Sequence, residues 1–210
     1  WQNARAVLAR EGITSASEAG KAFGGKFLQW VDDVGLVLND AEMYAELAEF
    51  SRDVLALRWE KGEAPENARA DLADALTNLG DIQGALALYE EYLGKDPDWG
   101  WGWTGYLQLL EQNFKGRLDG AADALFDRME AGAVRDAAAA YDELRRLYEA
   151  RGDGERAALC RERSDALGKE KIDKLSQLFF EAMREGARKR PRPRTEVDLE
   201  EKGFTHAQGQ

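Results

Sequence analysis

Residues 69–97 read RADLADALTNLGDIQGALALYEEYLGKDP. Leu72, Ala73 and Leu76 before Gly80-Asp81, and Ala85 and Tyr89 after it, recur at spacings of three and four, the period of an amphipathic helix. The stretch therefore predicts two helices, 68–79 and 82–93, folded back on each other through a two-residue turn, with Pro97 ending the second. So short a helix pair has too little apolar surface to form its own interior. It must lie against further pairs that share one continuous core.

Further pairs are written in the same chain. Gly80, Gly116 and Gly152 stand 36 residues apart, and the same step relates Ala85, Ala121 and Ala157. A fixed period of this length marks stacked helix pairs, with each glycine expected at a turn and each alanine where paired helices approach closely. Upstream, Phe27, Trp30, Val31, Val34, Val37 and Leu38 form one helix face, and Met43, Tyr44, Leu47, Ala48, Phe50, Val54 and Leu55 form the next, across Asn39-Asp40. Residues 2–20 show short helical patterns, with Ser17 and Glu18 near a cap. Downstream, Ile172, Leu175, Leu178, Phe179, Ala182 and Met183 share one side of a helix. That helix either covers the end of the stack or serves a partner protein.

The expected fold is an all-α solenoid of about four antiparallel helix pairs. Its parts are an irregular N-terminal helical segment (1–25), the repeats (26–168), a capping helix (169–187) and a disordered tail (188–210). The net charge of −11 disfavours nucleic acid and anionic membranes as partners of the whole surface, although six basic residues face one acid within 184–194. A single cysteine, Cys160, excludes an intramolecular disulfide and fits a cytoplasmic location. The chain has no run of apolar residues long enough to span a membrane and no signal-peptide pattern, and its start at Trp1 leaves open that residues precede it.

Residues 69–97 resemble the tetratricopeptide repeat, with Leu72, Ala73, Leu76, Gly80, Ala85, Tyr89 and Pro97 at its spaced positions. The next unit resembles it through Trp103, Tyr106, Leu107, Leu110, Ala121, Leu125 and Met129. A third, through Tyr141, Leu144, Tyr148, Gly152 and Ala157, departs at Arg161 and Asp165, as a terminal unit with one solvated face would. YEEYLGKDPDWGWGWTGY, residues 89–106, is similar to bacterial tetratricopeptide proteins that often end in a SEC-C zinc motif; that motif's cysteine cluster is absent here.

The resemblance implies a non-enzymatic scaffold that binds a protein or peptide on a concave inner face. It places Asn67, Asp74, Thr77 and Asn78 of one unit, and Trp101, Thr104, Gln108, Glu111 and Gln112 of the next, along that face. Their amides and hydroxyls suit an extended peptide backbone, and they equally suit a helix face turned to water. Trp101 reads as an anchor for a ligand or as packing on a neighbouring unit, whereas Trp103 reads as core, and Asp98 as the cap of its helix. The runner-up function is an accessory protein touching nucleic acid through 184–194.

Residues for chemistry are few. GKAFGGKF, residues 20–27, nearly spells a phosphate-binding loop, but Phe27 stands where Ser or Thr must hold magnesium. Adjacent acids such as Asp32-Asp33 and Glu90-Glu91 diverge on a helix and read as solvated surface. Cys160 has no histidine to activate it, since the only one is His206 in the tail. No catalytic residue, cofactor or metal is expected.

Overall fold

The computed structural model describes residues 1–60 and 65–189, with side chains through Met183. Among them are ten helices and no strand: α1 (Gln2–Arg10), α2 (Ala16–Ala22), α3 (Phe27–Asp40), α4 (Tyr44–Leu55), α5 (Glu66–Asn78), α6 (Ile82–Lys95), α7 (Gly100–Asn113), α8 (Lys115–Glu130), α9 (Ala137–Arg151) and α10 (Gly154–Lys189). Residues 1–165 form one unit and a second begins at Ala166, α10 running through the division. No helix among the described residues is long and apolar enough to cross a membrane.

Within the first unit α3, α5, α7 and α9 touch one another in sequence, while α4 packs on α3 and α5, α6 on α5 and α7, and α8 on α7 and α9. No comparable contact joins α4 to α6 or α6 to α8 among the described residues. One row of helices is thus packed side by side and the other is spread. A stack built that way curves, with α3, α5, α7 and α9 on its inner wall. The fold is an α-solenoid of antiparallel helix pairs.

The interior is a run of side chains with no exposure at all: Leu47, Phe50 and Val54 on α4, Leu107 and Leu110 on α7, Leu125 on α8, Leu144 and Tyr148 on α9. Ala75 and Ala85 bury completely where α5 and α6 meet, as expected of small residues at a close helix crossing. In the next unit the buried alanine is Ala122, with Ala121 only half-buried. Gly80 and Gly152 sit at helix ends with φ of +85° and +80° and reverse the chain. Gly116 departs from this pattern. It lies in the first turn of α8, and the reversal there is made by Phe114, at φ −138° and ψ 49°.

The N-terminal segment is more regular than expected. Ser15, not Ser17, caps α2: its Oγ accepts from the Glu18 backbone N–H at 3.2 Å, and the Glu18 carboxylate accepts from the Ser15 N–H at 3.2 Å. Trp1 and Phe23 pack with Trp30, and Trp1 meets Phe50 edge to face at 5.0 Å, which joins the segment to the first helix pair.

At the other end no helix starts at Lys169; the division between units falls at Ala166, inside a longer helix. The helix begins at Gly154, and Ala157 and Cys160 bury on its inner side while Arg156, Arg161 and Arg163 pair with Asp123, Glu149 and Glu130 at 2.7, 3.2 and 3.3 Å. Its polar residues at 161 and 165 are exposed, as a terminal unit with one solvated face requires. The same helix then continues without a break past 169, because nothing in 166–172 other than Gly168 disfavours helix and no proline intervenes. The proposed disordered tail lies outside the described residues from Arg190 onward.

Candidate functional site

The inner wall is centred on α5 and α7. On α5, Asn67, Asp71, Asp74 and Asn78 follow at steps of four, three and four, which puts them on one face; on α7, Trp101, Thr104, Gln108, Glu111 and Gln112 do the same. Of these, Asn67, Asp74, Asn78, Trp101, Gln108 and Gln112 are exposed.

Several of the expected hydrogen-bonding groups are already engaged. Thr77 Oγ1 donates to the carbonyl of Ala73 at 2.8 Å, Asn78 Nδ2 to that of Asp74 at 2.9 Å, and Thr104 Oγ1 to that of Gly100 at 3.2 Å. Each is a bond back to the preceding turn of the same helix. Glu111 accepts two bonds from Arg146 at 3.0 and 2.5 Å, which ties α7 to α9 and holds its carboxyl below the usual range. Asn67 donates to Asp32 Oδ1 at 3.0 Å, linking α5 to α3.

Acidity is the main feature missed by sequence reasoning. Asp71 lies over Gly35 of α3: a Cβ built on that glycine would stand 2.3 Å from Asp71 Oδ2, so only glycine lets the carboxylate sit there. Partial burial, with Asp74 and Asp32 nearby, pushes the Asp71 carboxyl up to about 6. Asp74, although exposed at the surface, is raised too, by the atoms crowded around its carboxyl. Among the described residues neither carboxylate has a hydrogen-bond or ion-pair partner, whereas the neighbouring Asp32 accepts from Asn67. The step of three and four that links Asp71 to Asn67 and Asp74 was the available signal. Asp32, read as plain surface, joins them only through the packing of α3 on α5. Beside Asp32 and Asn67 a cleft of about 220 Å³ opens, lined by Leu28, Trp59 and Pro65.

The tryptophan-rich turn divides as its glycines dictate. Trp99, at 1% exposure, is the fully buried indole, and a Cβ on Gly102 would stand 2.0 Å from its ring. Trp101 is 55% exposed. Trp103 is half-buried, where core was expected: its Nε1 donates to the Pro97 carbonyl at 2.9 Å, and with Tyr106, Arg117 and Leu93 it lines a separate cleft between α6, α7 and α8. Asp98 does not cap α7. Its carboxylate instead accepts from Arg128 at 2.9 Å, because Trp99 occupies the cap position.

Phe27 is buried at 1% exposure at the start of α3, so residues 20–27 form a helix junction. Burial pushes the Cys160 thiol up to about 11, away from reactive thiolate. His206, and the residues 190–194 of the basic run, lie outside the described residues.

Residues 66–109, which hold both α5 and the Trp101 face of α7, match the family model of the tetratricopeptide repeat. No curated protein and no solved structure matches the chain.

Proposed function

We propose that this tetratricopeptide-repeat protein is a non-enzymatic scaffold that holds an extended, positively charged peptide segment of a partner protein along the inner wall of α5 and α7. Repeats of this family generally mediate protein–protein interaction. The observation that carries the finer reading is the pair Asp71 and Asp74, two carboxylates with no hydrogen-bond or ion-pair partner among the described residues, both raised by desolvation, with Asp32 near Asp71. A lysine or arginine of a ligand supplies the missing counter-charge. Trp101, exposed at 55% on the adjoining helix, supplies a flat apolar anchor of the kind that dominates binding energy. Exposed amides at Gln108 and Gln112 suit the backbone of such a peptide, whereas Asn67, Thr77, Asn78, Thr104 and Glu111 shape the wall.

The test uses fluorescence anisotropy of labelled extended peptides, one series rich in lysine and arginine and one rich in glutamate, at low and high salt. The basic series is expected to bind, more weakly at high salt, and to lose at least tenfold in affinity with Trp101→Ala or with Asp71→Asn plus Asp74→Asn. Equal affinity for both series, or full binding by all variants, refutes the reading.

A further inference from the structure

Beyond Asp165, α10 shows Ile172, Leu175, Leu178, Phe179, Phe180 and Met183 at 57–65% exposure. So contiguous an apolar face is unusual on a soluble surface and marks an interface. We propose that it is covered by the same face of a second copy of this chain, the two helices running antiparallel.

The spacing of Ile172, Leu175, Phe179 and Ala182, three then four then three, is the seam of a two-helix coil. In antiparallel order this seam is complementary to itself. Ile172 falls opposite the partner's small Ala182 and Leu175 opposite the partner's Phe179, which puts the two-fold axis level with Gln177 and leaves Leu178 beside the seam. Phe180 falls outside the seam.

Charge selects both occupant and direction. Residues 169–183 carry three lysines (169, 171 and 174) and three acids (170, 173 and 181), so two copies of the segment bear no net charge against each other, even in a chain of −11. The run 184–194, with six basic residues and one acid, follows at once. A parallel pair sets two such runs side by side, within a screening length of about 8 Å. An antiparallel pair sends them to opposite ends, beginning roughly 20 Å apart on the helical rise.

The full chain is examined by sedimentation equilibrium and by oxidative cross-linking of single-cysteine substitutions; native Cys160 has no exposure and does not report. A dimer is expected. Ile172→Cys mixed with Ala182→Cys, and Leu175→Cys mixed with Phe179→Cys, are expected to form disulfide-linked pairs, and Phe179→Cys alone to fail. Leu175→Glu plus Phe179→Glu should raise the dissociation constant at least tenfold with helicity by circular dichroism retained, while Phe180→Glu leaves it unchanged. A monomer at micromolar concentration, self-linking by Phe179→Cys, or a dimer that survives the double glutamate overturns the proposal. So does a monomer that floats with phosphatidylglycerol and phosphatidylcholine vesicles through this face, which assigns it to lipid.

Discussion

Replacing Asp71 by Asn keeps the shape of the side chain and removes its charge. The folded carboxyl titrates at about 6, against an unfolded value of about 3.9. Between those values the folded state holds a proton that the unfolded state has released, so stability falls as pH rises through that window and levels off above it. At full weight the difference is roughly 3 kcal/mol at pH 8, and because Asp71 is only partly buried the expected remainder is ~1–2 kcal/mol. Asp71→Asn is therefore expected to be more stable than the wild type by that amount at pH 8, with the gap closing toward pH 4. Urea unfolding followed by circular dichroism at several pH values, at dilute protein because the pI is 4.8, measures it. A gap of the same size at every pH, or a wild type that is the more stable at pH 8, refutes the account of Asp71 as an ionised group without a counter-charge.

Three other outcomes follow from packing and capping. Gly102→Ala drives a methyl into the Trp99 ring, which stands 2.0 Å from the built Cβ, and is expected to cost about 1–3 kcal/mol by overpacking in thermal unfolding. Ser15→Ala removes the side chain of the α2 capping box and should cost ~1 kcal/mol, while Ser17→Ala changes nothing comparable. Cys160 is expected to resist a thiol reagent at pH 8 in the folded protein and to react fully in denaturant; fast labelling of the folded chain contradicts its burial.

Helix pairs were legible because an apolar face must repeat every three to four residues, and the chain writes that period plainly in Leu72, Ala73, Leu76, Ala85 and Tyr89. Features set by contacts between helices were not. Nothing local to Trp99 and Trp103 says which indole is enclosed, and the answer depends on Gly102 and on the neighbouring Tyr89, whose ring lies 6.3 Å from that of Trp99. Gly116 kept its place in the period but lost its turn, since α7 runs to Asn113 and leaves the reversal to Phe114. The expected groove positions came from the resemblance to the repeat, which says nothing of Asp32 of α3 lying near Asp71 of α5. Nor does spacing distinguish a free hydroxyl from one bonded to its own helix, as at Thr77 and Thr104.

An inner wall with unpaired carboxylates is less stable than the same wall with amides, and that cost has to be offset elsewhere or serve binding. A cationic ligand reverses the balance. It favours the ionised form of Asp71, returns the carboxyl toward its ordinary range, and gives back as affinity the stability that the empty wall lacks. Proton and ligand then compete for one group. Affinity for a basic peptide should therefore fall as pH drops through about 6, where Asp71 takes up its proton. The peptide should also raise the unfolding temperature more at pH 8 than at pH 5, and Asp71→Asn should flatten both dependences while Trp101→Ala weakens binding equally at every pH. If binding to the wall were carried by apolar contact alone, neither dependence would exist. The pH profile thus separates an electrostatic groove from a merely hydrophobic one.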